Sequence, residues 1–279
     1  MTGTMLIGVV ALVLVVAAGA LLVVRADRLV APRWVASGLV RARVVGDSLV
    51  DQLGRVGAFA AAVLLGGGAM TFVLWVLGEF FQAIEPYVDH PVFDWFAAGR
   101  NATWDSIWLV LTNVGGLKQT QTITVVAAVL LAVLWRRRRW WVPLLVLPVG
   151  YLLEKNVQEL LKLVVDRGHP PTTLGSYPSG GCARVIVVYG LVVVLALRWT
   201  ETRSRRWWAA GAALVALLET VQAYARMYNQ EHWLTDVIGG FVFGLLLLAT
   251  MTGAMLLLDH GGTSSSGADE RSAREPAAA

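Results

Sequence analysis

Long apolar runs, each close to the length of a bilayer crossing, alternate along this chain with short arginine-rich segments. A hydrocarbon core about 30 Å thick needs about 20 apolar residues to be crossed by a helix. Runs near 5–24, 58–80, 120–135, 141–163, 183–199, 207–226 and 236–257 meet that need, which gives seven expected spans. Only 15 % of the residues are charged, against about a quarter in a soluble domain. The pattern excludes an ordinary soluble domain and predicts an all-α, polytopic membrane bundle.

Arginine placement orients the spans, because basic residues stay on the cytoplasmic side of short loops. Arg25, Arg28, Arg33, Arg41, Arg43 and Arg55 form one basic segment, Arg136 to Arg139 a second, and Arg198, Arg203, Arg205 and Arg206 a third. Residues 81–118 instead carry Glu85, Asp89, Asp94 and Asp105 against Arg100 and Lys118, and read as extracytoplasmic. With seven spans the alternation closes, placing 164–182 and 227–235 on one outer face and the tail inside. The formal net charge of +4 follows from this topology and does not call for a nucleic-acid partner.

The organisation expected is an N-terminal transmembrane helix with a cytoplasmic amphipathic segment over 1–57, a membrane domain over 58–257 and a disordered cytoplasmic tail over 258–279. The first run has no basic residues before it and reads as a retained helix. Phe80, Phe81, Tyr87, Trp95, Phe96, Trp104 and Trp108 give 80–118 the character of interfacial helices with an aromatic belt. Cys182, the single cysteine, leaves no intramolecular disulfide and no zinc-type cluster. Neither metal nor other cofactor is expected.

Three polar clusters fall on the predicted outer face. Lys162, Asp166 and His169 share a helical spacing ahead of Pro170 and Pro171. Ser179, Gly180 and Gly181 open the next span, as an N-cap and two residues whose backbone N–H groups an anion can approach. Arg226, His232 and Asp236 form the third cluster, with His232 four residues before Asp236 and one turn away on the entering helix. A carboxylate behind an imidazole makes a nucleophile or a base. Glu154, Lys155, Glu159 and Glu219 lie inside apolar runs and are expected to pair within the bundle or near its ends; Arg184 fits a structural helix start as well as it fits a phosphate ligand.

These clusters carry a resemblance to the type 2 phosphatidic acid phosphatase superfamily, the lipid phosphate phosphatases, whose signature runs K-x6-R-P, P-S-G-H and S-R-x5-H-x3-D. Here the three parts read Lys162-x6-His169-Pro170, Pro178-Ser179-Gly180-Gly181 and Ala225-Arg226-x5-His232-x3-Asp236. The resemblance covers roughly 58–257 and implies a six-helix core with one added N-terminal transmembrane helix. It implies that His232 attacks phosphorus to give a phosphohistidine, that Asp236 holds its tautomer, and that Lys162, Arg167, Ser179, Gly180, Gly181 and Arg226 gather the phosphate oxygens.

Three positions depart from the signature: His169 replaces its arginine, Ala225 its serine, and Gly181 its P-S-G-H histidine. In the family that last histidine protonates the leaving oxygen. A phosphate leaving group, as in a lipid pyrophosphate, tolerates its loss better than an alkoxide, and His169, an imidazole in the phosphate cluster, or Cys182 is a substitute proton carrier.

The resemblance thus implies hydrolysis of a lipid phosphate or pyrophosphate, such as a polyprenyl carrier lipid of the cell envelope, at the extracytoplasmic face of the plasma membrane. Two alternatives remain open at this point: a non-catalytic member that binds a lipid phosphate or a partner protein, and a phosphotransferase using the same site.

Overall fold

The computed structural model describes residues 18, 19, 21, 25, 33–137, 139–168 and 176–259. The first expected span therefore falls almost wholly outside the described residues, as do His169, Pro170, Pro171 and the tail from 260. The described chain is built from helices: α1 (Arg33–Ala98), α2 (Ala102–Leu111), α3 (Leu117–Leu134), α4 (Trp141–Val165), α5 (Gly180–Trp199), α6 (Arg205–Tyr228) and α7 (Leu234–Asp259). It is a polytopic all-α membrane bundle.

Five of these helices, α1 (from Val40), α3, α5, α6 and α7, are long and apolar enough to cross a membrane. The expected span over 141–163 is helical as α4, but its Glu154, Lys155, Glu159 and Lys162 set it apart from those five. Large apolar side chains point outward, with Leu64 74 %, Leu65 69 % and Leu163 79 % exposed, the inverse of a water-soluble bundle.

Sequence reading separates a span at 58–80 from interfacial helices beyond it, whereas α1 continues to Ala98. Its one non-helical residue is Gly54, with φ 68° and ψ 171°, a conformation that favours glycine. Pro86 and Pro91 sit inside α1 and each forfeits a backbone hydrogen bond. Tertiary contacts hold the helix past them: Phe96 packs into a buried cluster with Tyr224 and Tyr228 of α6.

Two compact units emerge from the packing, 65–252 and 31–64 with the end of α7 from 253. In the smaller one Ala58, Phe59, Val63, Ala254, Met255 and Leu258 are buried, and Leu257 lies against Gly46. The larger unit centres on α5, two-thirds buried, with Val185, Ile186, Val187, Val188, Leu191 and Leu195 all enclosed. Small residues let its neighbours approach: a Cβ on Gly150, Gly190 or Gly244 would stand 2.7 Å from Leu191, Leu248 or Ile186 respectively.

The buried Arg184 of this unit is matched by partners from α4 and from the turn before α3. Arg184 on α5 donates through Nη1 to Gln158 (3.0 Å) and to both oxygens of Glu154 (3.4 Å), and through Nε to the Gly115 carbonyl (3.1 Å). These bonds fit the structural role that its sequence position allowed. Lys155 and Glu159 pair at 3.9 Å on the exposed side of α4.

Candidate phosphate-binding site

The site is assembled where α4 ends, α5 begins and α6 passes into α7. Helical spacing extends the first cluster to His169, but α4 stops at Val165 because Asp166 turns left-handed (φ 44°) while its N–H still reaches the Lys162 carbonyl (3.2 Å). Aspartate tolerates that region better than most residues. The turn leaves Lys162 in the last turn of α4 and sends Arg167 inward.

Arg167 is 1 % exposed and every nitrogen of its guanidinium donates a hydrogen bond. Nε donates to Glu85 (2.7 Å), Nη1 to Thr235 Oγ1 (2.6 Å) and Asp236 Oδ1 (3.2 Å), and Nη2 to Asp89. Burial alone would lower its pKa, but Asp236, Glu85 and Asp89 together raise it above the ordinary arginine value. Asp89 in turn accepts from the Thr235 N–H (2.9 Å) and hydroxyl (2.6 Å), and so caps α7 from α1. Expected as a phosphate ligand, Arg167 stands instead with its donors committed to three carboxylates and a threonine.

The segment leading into α5 is pinned from below. Tyr177 is enclosed, donates its hydroxyl to the Leu74 carbonyl (3.0 Å) and packs against Phe81 and Val165. Its ring lies so close to Gly239 that a Cβ there would stand 2.2 Å from it. The Ser179 N–H bonds the Asp236 carbonyl (3.0 Å), which ties the start of α5 to the start of α7. Ser179 precedes α5 without making the side-chain cap expected of it, and its Oγ has no hydrogen-bond partner.

The third cluster closes the site. Asp236 Oδ2 accepts from the Trp233 N–H (3.1 Å) and meets His232 Nδ1 at 3.4 Å. With Nδ1–H directed at the carboxylate, the imidazole lone pair lies on Nε2. Burial pushes the His232 pKa below its ordinary value, partly offset by Asp236, and Arg226 and Lys162 push in the same direction as burial. Lys162 in turn lies within electrostatic range of Asp236 and Arg226. Arg226 pairs through Nη1 with Glu231.

Sequence residues 162, 179–181, 226, 232 and 236 are thus gathered around one place, while His169 lies outside the described residues. Four participants were not singled out from sequence. Glu85, Asp89 and Thr235 complete the Arg167 hub, and Gln222 reaches Gly181 from α6. Glu85 and Asp89 lie one turn apart in an aromatic segment; their spacing was visible, but their charge was read as topology.

No curated protein sequence matches the chain. A crystal structure of a transmembrane PAP2-type phosphatidylglycerolphosphate phosphatase from Bacillus subtilis is similar in fold, with a TM-score of 0.58 at 20 % identity, covering 67 % of this chain and 94 % of that one. Residues 143–257, the stretch that carries all three polar clusters, match the family model of the PAP2 superfamily. The likeness to the PAP2 superfamily is carried by that stretch.

Proposed function

We propose that the protein is a lipid phosphatase that hydrolyses a lipid phosphate or pyrophosphate through a phosphohistidine. The observation that carries this reading is the His232–Asp236 pair, with Lys162 and Arg226 in electrostatic range and the opening of α5 alongside. The match of residues 143–257 to the PAP2 superfamily model and the likeness in fold to a PAP2-type phosphatidylglycerolphosphate phosphatase support it.

In this mechanism His232 Nε2 attacks phosphorus while the bond to the leaving oxygen breaks and its electron pair departs with that oxygen. Asp236 holds the imidazole tautomer and balances the positive charge that grows on the ring. Arg226, Lys162, Ser179 and the N–H groups of Gly180 and Gly181 stabilise the oxygens of the transferring group. Water then cleaves the phosphorus–nitrogen bond, releasing inorganic phosphate and restoring His232. Arg167 supports the reaction indirectly, by fixing Asp236. For an alkoxide leaving group the proton comes from His169 in this reading.

Arginine placement puts this chemistry at the extracytoplasmic face of the plasma membrane and the C-terminal tail in the cytoplasm. Gly181 favours one rival, a protein that binds a lipid phosphate without turning it over. Phosphate release by purified protein in detergent, from a polyprenyl pyrophosphate, a polyprenyl monophosphate and phosphatidic acid, separates the two. Release that His232→Ala abolishes is expected. Background rates for wild type on every substrate would sink the enzyme reading, and phosphoryl transfer to an added alcohol would redirect it to a transferase.

A further inference from the structure

The densest set of unpartnered polar atoms lies on α6 and at the opening of α5. Gln222 Nε2, Arg226 Nε, Ser179 Oγ and both carboxyl oxygens of Glu219 are buried without a hydrogen-bond partner. Such atoms cost free energy unless something supplies the missing partner. Gln222 and Arg226 stand one turn apart on one face of α6, with Glu219 on the turn before. Glu219 faces the Cys182 thiol, which also contacts Ser179.

Gln222 has a fixed orientation. Its Oε1 accepts from the Gly115 N–H at 2.9 Å, so the amide nitrogen must point the other way. That way is Gly181: a Cβ added there would stand 2.6 Å from Gln222 Nε2, 2.7 Å from Arg226 Nε and 2.8 Å from Arg226 Nη2. The donors therefore fill the space a side chain at position 181 would need. All three are N–H groups without an acceptor or with capacity to spare, and Arg226 keeps 16 % of its side-chain surface open. A guest that satisfies them is rich in acceptor oxygens.

Resting on the phosphatase reading, we propose that Gln222 is a substrate ligand: with Arg226 it holds the leaving-group oxygens of a lipid pyrophosphate beside Gly181, where the two donors take the room of a side chain. An amide donates hydrogen bonds but gives up no proton. A site built this way stabilises an oxygen that departs as an anion, which a phosphate leaving group does when its anhydride P–O bond breaks and takes the electron pair. It does little for an alkoxide, which needs a proton. Gln222 is therefore also a specificity determinant, setting anhydride above monoester.

The test compares wild type, Gln222→Met, Gln222→Glu and His169→Ala, measuring phosphate release from polyprenyl pyrophosphate and monophosphate, and binding of inorganic pyrophosphate by calorimetry. Gln222→Glu keeps an acceptor for the Gly115 N–H and so guards against misfolding, which melting temperature monitors. Wild type is expected to prefer the pyrophosphate, and both Gln222 variants to lose about 10- to 100-fold in kcat/KM on it, the loss expected for one hydrogen bond to a charged group. Variants that fold and turn over pyrophosphate like wild type would overturn the inference while leaving the phosphatase reading standing. Equal wild-type rates on both substrates, lost in His169→Ala, would overturn it in favour of His169 as proton donor. If wild type hydrolyses neither substrate, the phosphatase reading fails; pyrophosphate binding that weakens in both Gln222 variants would still establish the ligand, and unchanged binding would overturn it too.

Discussion

The Arg167 hub and the Gly181 face carry similar residue types but opposite hydrogen-bond accounts. At the hub one arginine is spent on Glu85, Asp89, Asp236 and Thr235, and α1, α7 and the residues after α4 are locked together. At the Gly181 face Arg226 shares only Nη1 with Glu231, and its Nε, Gln222 Nε2 and Ser179 Oγ stay unsatisfied. A buried charge that is fully paired holds structure; a buried donor that is unpaired awaits a partner. Two arginines of one basic site are thus told apart by how many of their donors are paired.

The largest effect expected at either cluster is on the proposed nucleophile, His232. His232→Ala should lower phosphate release by about four orders of magnitude or more while leaving the melting temperature close to wild type, because the cost of losing a catalytic group falls on the transition state. A variant with near-normal turnover would remove His232 from the chemistry. Asp236→Asn should cost about 10³–10⁴-fold in kcat through loss of the tautomer restraint, with little change in KM.

Arg167→Ala sharpens the contrast from the structural side. It leaves Asp89 and Asp236 buried without their counter-charge, and should destabilise the fold by about 3–5 kcal/mol in reversible unfolding in detergent. If Arg167 bound phosphate directly, the same change would raise KM with stability intact. A Gln222 variant, by contrast, should lose turnover without a comparable loss of stability.

Acidity probes the site more gently. The folded-state pKa of His232 lies below its ordinary 6.5, so the imidazole stays neutral and nucleophilic below that pH. The acid limb of kcat/KM should therefore fall below about pH 6.5. The sign for stability is the reverse of a stabilised cation: the unfolded chain binds the proton first, so His232 subtracts stability as pH falls from about 6.5 toward the folded value. An acid limb above 6.5 would contradict the burial of this ring. The smallest effect is expected at the Arg100–Asp105 pair, 3.2 Å apart with side chains 36 % and 35 % exposed. Its hydrogen bond from Arg100 lowers the Asp105 pKa, yet Arg100→Ala should cost no more than about 1 kcal/mol, since solvent screens the pair.

Much of the fold was legible because apolar run length and helical period are local properties. Long helices at 117–134, 141–165, 180–199, 205–228 and 234–259 fall close to the expected runs, and the His232–Asp236 spacing placed both residues at one helix start. Less legible was α1. Nothing local carries a helix through Pro86 and Pro91 to Ala98; contacts from Phe96, Glu85 and Asp89 to residues far along the chain do so. The early end of α4 was hidden for a related reason, since a left-handed Asp166 leaves no mark on periodicity.

Sequence by itself therefore determined that this chain forms membrane helices and which residue types lie near their ends, because hydrophobic length and short-range spacing are written residue by residue. Tertiary structure alone decided which arginine is consumed and which is offered. Arg167 and Arg226 are indistinguishable as letters, but one is enclosed by carboxylates from α1 and α7, and the other faces Gly181 with Gln222 beside it. Whether a buried donor is satisfied depends on groups brought from 68 to 82 residues away at the first arginine and on an α5 glycine 45 residues before the second, and no local pattern encodes that pairing.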